Sequence, residues 1–201
     1  MNSLNKQDVT AVILAGGKGR RMDGEDKGLI ELAGRPLIEY VIEAIEPQVE
    51  HIILNANRNQ AQYARYGYPV ISDALADYQG PLAGFISALT NAGTSHIVTL
   101  PCDGPFIASD LVDRLISALN ASGADIAVAH DGDRMQPVYS LIPTRLSSSL
   151  ADFLDTGERK IDRWYKQLRV ALADFSDCPD SFRNINTAEQ REQLQNEGQL
   201  S

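Results

Sequence analysis

The sequence contains few of the residues that build disulfide frameworks, metal clusters or nucleophilic triads. It has two cysteines and three histidines among 201 residues. Cys102 and Cys178 stand far apart and isolated, so neither a metal-ligand spacing nor a disulfide framework is visible. We expect Cys102 to be a small apolar residue that closes a strand. The histidines lie at the ends of predicted strands and are interpreted as structural; they are His51, His96 and His130.

The sequence also lacks a positive balance of charge and a long apolar run. Its formal net charge is −9, which argues against a nucleic-acid or anionic-membrane partner, because such surfaces are usually met by a basic face. Residues 1–7 are polar, and no apolar run approaches the length of a membrane span. We therefore expect a cytoplasmic protein that binds neither nucleic acid nor membrane. A local cluster of cations can still hold a small anionic ligand.

The composition is that of one ordinary globular domain. The chain is 43% hydrophobic and 22% charged, and its length suffices for a substantial core. We predict a single domain over residues 1–201, with fraying of the N-terminal segment 1–8 and of the tail 190–201.

Apolar runs typical of buried strands alternate with apolar stripes at helical spacing. Strands are predicted at 9–14, 52–57, 69–73, 96–103, 125–130, 136–142 and 170–172, and helices at 37–46, 60–66, 80–89, 109–119, 145–154, 160–168 and from 189 onward. This alternation predicts an α/β domain whose mostly parallel sheet carries helices on both faces. In the second half, Asp131-Gly132 predicts a hairpin turn, and Pro137 indicates an edge position or a bulge.

A glycine-rich, cationic stretch follows the first predicted strand. It reads Leu14-Ala15-Gly16-Gly17-Lys18-Gly19-Arg20-Arg21-Met22, with Lys27 a few residues on. Glycine lets backbone N–H groups approach a polyphosphate closely, and the side chains supply cations. We interpret the stretch as a phosphate loop; the alternative is an ordinary glycine-rich turn with solvated charges. It is neither a P-loop, which needs Ser or Thr after Gly-Lys, nor the dinucleotide pattern, whose three glycine spacings are missing.

Polar residues close three of the predicted strands: Asn55, Asp73 and Asp103. Ligands bind at the carboxyl ends of parallel strands, so these side chains are expected beside the glycine loop. Taken singly, each could instead bond nearby backbone in a turn. Carboxylates beside a triphosphate need a cation between them, and Asp103 is the predicted Mg²⁺ ligand. Asp73 is predicted to accept a hydrogen bond from a ribose hydroxyl or a base.

The glycine loop with Lys27 resembles the signature of nucleotidyltransferases, in particular the molybdenum cofactor guanylyltransferases. Further motifs of that family recur in order along nearly the whole chain. They are Leu54-Asn55-Ala56-Asn57, Asp73, Gly80-Pro81-Leu82-Ala83-Gly84, Pro101-Cys102-Asp103, Gln136-Pro137-Val138 and Asn184-Ile185-Asn186-Thr187. The resemblance implies a Rossmann-like fold of the nucleotide-diphospho-sugar transferase type.

The resemblance also implies a reaction and a site. The chain would transfer GMP from GTP to the terminal phosphate of molybdenum-molybdopterin, releasing pyrophosphate, with molybdoenzyme apoproteins or their chaperones as further partners. Residues implied to bind GTP are Leu14, Ala15, Gly16, Gly17, Lys27, Asn55, Asp73 and Asp103, the last through Mg²⁺. Gln136, Asn184 and Asn186 would face the molybdopterin. Lys27 and Arg21, with Asp103, would be catalytic by offsetting charge on the leaving pyrophosphate.

One departure and several alternatives remain open from the sequence. Family members often carry glycine where this chain has Asp23; this residue, Glu25 and Asp26 are expected to point to solvent. The alternative functions are a molybdopterin cytidylyltransferase, a sugar-phosphate nucleotidyltransferase and, from another class, a non-catalytic pterin carrier. Gln136 and Asn184 could equally satisfy backbone groups near a hairpin and a helix start.

Overall fold

The computed structural model describes residues 3–15, 26–74, 80–185 and 190. Within these ranges the chain forms nine strands and six α-helices. The strands are β1 Val9–Leu14, β2 Glu31–Leu32, β3 Arg35–Pro36, β4 His51–Asn55, β5 Val70–Ile71, β6 His96–Pro101, β7 Ile126–His130, β8 Met135–Pro143 and β9 Val170–Asp174. The helices are α1 Leu37–Ile45, α2 Gln60–Tyr63, α3 Pro81–Asn91, α4 Leu111–Ser122, α5 Ser147–Asp155 and α6 Ile161–Tyr165.

Seven strands form one sheet in the order β5-β4-β1-β6-β8-β7-β9. All neighbouring pairs are parallel except those of β8, which runs antiparallel to both β6 and β7. The continuous apolar run of β1 suits its interior position in the sheet, where it pairs with β4 and β6. The predicted α/β class with a mostly parallel sheet is confirmed.

Alternate side chains of β1 enter two different cores, as the two-residue period of a strand requires. Val9, Ala11 and Ile13 pack with buried residues of α1 and α4, whereas Val12 packs with buried residues of α3, α5 and α6. Helices therefore cover both faces of the sheet, as predicted.

Helix α1 shows how the pattern of the sequence sets one of these elements. Pro36 precedes the helix, where its missing N–H costs nothing, and the buried positions Leu37, Ile38, Val41 and Ile45 form one stripe. The helix ends at Ile45, before Glu46 and Pro47, as predicted.

The β7–β8 hairpin forms as predicted, and its irregularity lies at Pro137. Val128 faces Ser140, but the next residue, Ala129, faces Gln136, so residues 137–139 bulge out of the register. Because β8 lies between β6 and β7, Pro137 occupies a bulge and not an edge strand.

Several boundaries differ from the sequence prediction. The second long strand ends at Asn55, because the backbone of residues 56–59 turns toward α2. The third predicted strand shortens to β5, and β9 extends to Asp174 along its partner β7. The predicted helix over 60–66 divides into α2 and a 3₁₀ turn, Ala64–Tyr66.

The small β2–β3 hairpin was not predicted. Its two strands have two residues each, too few to leave a period in the sequence. Its turn residues Ala33 and Gly34 both have positive φ, 50° and 79°, as a tight hairpin turn requires.

The N-terminal segment contains local structure from Asn5 onward. Lys6–Asp8 form a 3₁₀ turn, and the side chains of Asn5 and Asp8 cap each other's backbone N–H groups. Among residues 3–15, 26–74, 80–185 and 190, no helix is long and apolar enough to cross a membrane. The predicted final helix lies outside these ranges, apart from Gln190, which is helical.

Candidate active site

The carboxyl ends of three parallel strands meet at the end of β1. The backbone N–H of Ala15 donates to the carbonyl of Asn55 at 2.8 Å, and the N–H of Cys102 donates to the carbonyl of Leu14 at 3.2 Å. Residues that follow β1, β4 and β6 therefore share one edge of the sheet. The structure brings Leu14, Ala15, Asn55 and Asp103 together at this edge, where the sequence analysis placed them.

Lys27 and Asp103 form an ion pair at this edge. The Lys27 ammonium lies 2.7 Å from Oδ2 of Asp103. The Asp103 side chain is 7% exposed and that of Lys27 is 27% exposed, so the pair is poorly screened by solvent. Lys27 begins a 3₁₀ turn, Lys27–Leu29, and Asp103 follows the buried strand β6. A cation and a carboxylate are thus held at the sheet edge that the sequence predicted.

Asp73 is held by two side-chain amides. Asn55 donates to its Oδ1 at 3.1 Å, and Asn57 donates to its Oδ2 at 2.6 Å. The side-chain oxygen of Asn57 also accepts from the Asp73 backbone N–H at 2.8 Å. Asn55 and Asp73 are brought together as predicted. Asn57 had no predicted role, although its spacing of two residues from Asn55 places both side chains on one face of an extended segment.

The first turns of helix α3 pack directly onto this edge. A Cβ added at Gly84 would lie 2.5 Å from Oδ1 of Asn55 and 2.7 Å from Cδ2 of Leu14. Gly80, which precedes the helix, has φ of 83°. The glycines of the Gly80-Pro81-Leu82-Ala83-Gly84 motif are therefore explained by a left-handed turn and a close approach.

The turn after Asp103 lies against residues from distant parts of the chain. The backbone N–H of Ile185 donates to the carbonyl of Asp103 at 2.9 Å. A Cβ at Gly104 would lie 3.1 Å from Oδ1 of Asn184 and would collide with the hydroxyl of Tyr139. Asn184 is thus placed next to Asp103, as the predicted site requires.

Tyr139 was missed by the sequence analysis. Its hydroxyl is buried and has no hydrogen-bond partner in the described ranges. Burial, followed by the nearby charges of Asp103 and Cys102, raises the pKa of Tyr139, so the hydroxyl stays protonated. Its neighbours in the sequence gave no signal, because a tyrosine inside an apolar strand is typical of a core position.

Gln136 lies in β8, and its side chain is committed within the hairpin. Its amide donates to Oδ2 of Asp131 at 2.5 Å. The partner is thus a side chain of the hairpin tip and not the backbone group that the sequence offered as the alternative.

Cys102 is buried, and burial raises the pKa of its thiol well above the usual value, in agreement with a structural residue.

Asp26 does not point to solvent, and that prediction was wrong. Its side chain is buried, because the hydroxyl of Tyr63 and the amide of Asn59 donate to its two oxygens at 2.5 and 3.0 Å. The sequence gave no sign of these partners, which come from the segment around α2. The other two acidic residues, Asp23 and Glu25, lie outside the described ranges, as do Gly16, Gly17, Arg21 and Asn186.

Comparison with known proteins decides the family. The MobA-like NTP transferase domain matches residues 11–171. The chain belongs to the MobA-like NTP transferase family. This MobA-like NTP transferase is 52% identical over 186 residues to the molybdenum cofactor guanylyltransferases of Shewanella halifaxensis and Shewanella sediminis. Each alignment covers 92% of this chain, and 93% and 95% of the two relatives. The predicted resemblance and the predicted enzyme class, nucleotidyltransferase, are confirmed.

Solved structures confirm the fold of this MobA-like NTP transferase. Molybdopterin-guanine dinucleotide biosynthesis protein A from Archaeoglobus fulgidus superposes with a TM-score of 0.76 at 24% identity, covering 94% of this chain and 98% of that one. The 4-diphosphocytidyl-2C-methyl-D-erythritolsynthase of Anaerococcus prevotii superposes with a TM-score of 0.75 at 13% identity, and the alignment covers 97% of each chain. At these identities the likeness concerns the fold alone.

Nucleotidyltransferases of this family normally need a divalent metal. In the described part of the MobA-like domain, no group of three His, Cys, Asp or Glu residues could hold an ion alone. Mg²⁺ usually takes one or two protein carboxylates and completes its shell with water and substrate phosphates. The buried carboxylate of Asp103 at the sheet edge fits that kind of site.

Proposed function

We propose that this chain transfers GMP from GTP to the terminal phosphate of molybdenum-molybdopterin, forming molybdopterin guanine dinucleotide and pyrophosphate. The observation that carries the proposal is the Lys27–Asp103 ion pair of 2.7 Å at the shared carboxyl edge of β1, β4 and β6. Its context is a chain half identical to molybdenum cofactor guanylyltransferases over nearly its full length.

The nucleotide lies along the edge formed by Leu14, Ala15, Asn55 and Asp73. The side chain of Asp73 is held in place by the amides of Asn55 and Asn57, so its carboxylate is oriented before a nucleotide arrives. A fixed acceptor of this kind suits a ribose hydroxyl or an N–H of the base. Gly16 and Gly17 contribute backbone N–H groups to the phosphates.

Charge neutralisation is the main chemical task of the site. The reaction needs no protein nucleophile, because the attacking phosphate oxygen is already ionised at neutral pH. Lys27, with Arg21, offsets the charge that develops on the leaving pyrophosphate. Asp103 would hold Mg²⁺, which would supply further positive charge to the phosphates. Its contact with Lys27 keeps the ammonium directed at the same place.

The acceptor lies on the side of Asp103 that faces Asn184 and Ile185. Asn184 packs against Gly104, beside Asp103, so a pterin held by Asn184 and Asn186 has its phosphate near the nucleotide. Gln136 of β8, whose amide group is held by Asp131, completes the acceptor side through its side-chain oxygen. Molybdoenzyme apoproteins or their chaperones then receive the product.

The test is product formation with purified protein, Mg²⁺ and molybdenum-loaded molybdopterin. GTP and CTP are supplied in parallel reactions, and pyrophosphate and the dinucleotide are measured. We expect a guanine dinucleotide, with one pyrophosphate released for each. A cytosine dinucleotide alone would overturn the choice of base. Transfer to a sugar phosphate but not to the pterin would assign a different acceptor, and binding of the pterin without pyrophosphate release would make the chain a carrier.

A further inference from the structure

The residue before Lys27 belongs to a partly buried hydrogen-bond cluster, the Asp26 cluster, formed by Asp26, Asn59 and Tyr63. The Tyr63 hydroxyl donates to Oδ1 of Asp26 at 2.5 Å, and the Asn59 amide donates to Oδ2 at 3.0 Å. Tyr63 is fully buried and Asp26 is 8% exposed. Both carboxylate oxygens are therefore fixed by the segment that contains α2.

Asn59 presents its amide from an unusual backbone conformation. Its φ is 50° and its ψ is 28°, a left-handed region that asparagine adopts more readily than most residues. The residue itself is exposed, so its side chain reaches inward to Asp26 and contributes little to the core. Burial raises the pKa of Tyr63, which keeps its hydroxyl a donor.

The same tyrosine also contacts the residue that follows Lys27. A Cβ at Gly28 would lie 2.6 Å from the Tyr63 hydroxyl and 3.2 Å from Cβ of Cys102. Cys102 directly precedes Asp103 in the sequence. Both neighbours of Lys27 are thus packed against Tyr63, and Gly28 is also packed against the side chain of Cys102, the residue before Asp103.

We propose that Tyr63 and Asn59, acting through Asp26, are positioning residues that fix the Lys27 ammonium against Asp103. A lysine side chain has four flexible carbons, so its ammonium is placed only if the backbone at its root is fixed. Neither Tyr63 nor Asn59 touches the reacting atoms. The expected effect of these residues on turnover rests on the proposed function, whereas their effect on the placement of Lys27 does not.

The first experiment measures the placement of Lys27 without using activity. The protein is treated with acetic anhydride, and the rate of acetylation of the Lys27 amine is measured by mass spectrometry. The reference is the rate at Lys6, a surface lysine paired with Asp113. We compare the full chain with Tyr63→Phe, which removes only the hydroxyl, and with Asn59→Gly, which keeps the left-handed backbone. We expect Lys27 to react severalfold faster in both variants.

Tyr68→Phe is the matched control, because the Tyr68 hydroxyl donates at 2.7 Å to Glu46 on the surface. Its Lys27 rate should equal that of the unaltered chain. Equal Lys27 rates in all four proteins would overturn the proposal. If Tyr63→Phe fails to fold, as shown by circular dichroism, Asn59→Gly decides the outcome alone, because its side chain is exposed.

The second experiment asks whether the cluster acts through Lys27. We expect Tyr63→Phe to lower kcat about tenfold, because displacements near 1 Å cost factors of this size or more, with little change in the KM for GTP. In a Lys27→Ala background the same substitution should have no further effect on kcat. If the double variant instead lost kcat by the product of the two single losses, Tyr63 would act independently of Lys27, and the positioning role would be overturned.

A third variant separates geometry from charge. Exchanging the two groups in Asp26→Asn/Asn59→Asp keeps a donor and an acceptor facing each other, while Tyr63 still finds an acceptor. We expect this exchange to restore the Lys27 labelling rate that the single Asp26→Asn change raises. If the unaltered chain transfers no GMP, the proposed function fails, but the labelling rates still decide the placement of Lys27.

Discussion

At the scale of single residues, the ammonium of Lys27 is the described cation that lies against Asp103 at the proposed site. Lys27→Ala should lower turnover about 10²-fold or more, as expected when one preorganised charge-stabilising group is lost. The measurement is pyrophosphate release at saturating substrates. The control is Lys6→Ala, which removes a surface ion pair of 2.9 Å with Asp113 and should leave turnover unchanged. Turnover close to normal in Lys27→Ala would remove this lysine from the mechanism.

The placement of the central site residues was predictable because each lies at, or two residues beyond, the carboxyl end of a strand. Asn55, Asp73 and Asp103 follow apolar runs, and parallel strands bring such ends to one edge. The positioning residues were not predictable in the same way. Tyr63 reaches Asp26 across 37 residues of sequence, and no local pattern encodes such a contact. Charge alone led to the wrong expectation that Asp26 points to solvent.

At the scale of elements, the start of helix α3 depends on Gly84. Alanine in a helix interior is normally favoured over glycine by about 1 kcal/mol. Here its Cβ would lie 2.5 Å from Asn55 and 2.7 Å from Leu14, and relieving such overlap costs typically ~1–3 kcal/mol. Gly84→Ala should therefore lower the melting temperature and raise the KM for GTP, because Asn55 and Leu14 must move.

Gly93→Ala is the control for this prediction. Its added Cβ meets nothing within 4 Å, so both the melting temperature and the KM for GTP should stay near those of the unaltered chain. A Gly84→Ala protein with unchanged KM for GTP would show that the contact of α3 with Asn55 and Leu14 has no part in nucleotide binding.

The bulge of β8 is held by buried hydroxyls. The Tyr165 hydroxyl donates to the carbonyl of Pro137 at 2.9 Å and also hydrogen-bonds with the hydroxyl of Ser140 at 2.7 Å. The hydroxyl of Thr99 donates to the carbonyl of Val138 at 2.6 Å. These bonds satisfy carbonyl groups that the bulge removes from the regular ladder.

Tyr165→Phe should lower the free energy of unfolding by about 1–3 kcal/mol, because the half-buried carbonyl of Pro137 loses its donor. Urea denaturation measures this loss. Tyr68→Phe, which removes a surface hydroxyl, should change the same quantity by less than about 0.5 kcal/mol. Equal losses in the two variants would show that the buried bond does not hold the bulge.

Elements with a long apolar period were predicted well, and short or inserted ones were not. Helix α1 and strand β1 have the predicted bounds or nearly so, because their burial follows one clear period. The β2–β3 hairpin is stabilised by its turn and by packing, which the sequence pattern does not express. Strand β9 extends to Asp174 because β7 continues beside it to His130.

At the scale of the whole molecule, surface ion pairs should make stability depend on acid. Hydrogen bonds from Arg169 lower the pKa of Asp125 to about 2, and those from Arg114 lower the pKa of Asp177 to about 2. A lowered carboxyl pKa stabilises the folded state above the unfolded value near 4 and loses that effect as pH falls through the folded value. Stability should therefore fall between about pH 4 and pH 2.

The check on this prediction is the pH dependence of urea unfolding. Asp125→Asn should flatten the slope between about pH 4 and pH 2, because the variant has no carboxyl to protonate at that position. High salt should also flatten the pH dependence of stability, since Arg169 is largely exposed and its ion pair with Asp125 is screened. An unchanged slope in Asp125→Asn would contradict a role for this pair in acid stability.

The whole fold was predictable as a class, and its topology only in part. Alternation of strands and helices predicted a mostly parallel sheet in one domain. The order of strands depends on which neighbours pair across long separations. Strand β8 lies between β6 and β7 and runs antiparallel to both. The hairpin signal at Asp131-Gly132 predicts its pairing with β7, but no signal in the sequence predicts its pairing with β6.

Guanylyl transfer is measured directly as the transfer of labelled GMP from α-labelled GTP to molybdenum-molybdopterin. The measurement compares the unaltered chain with Asp103→Asn, which keeps the shape of the side chain and removes its charge. We predict a labelled dinucleotide from the unaltered chain and about 10²-fold less from the variant. Equal transfer by both proteins, or none by the unaltered chain, would contradict the account.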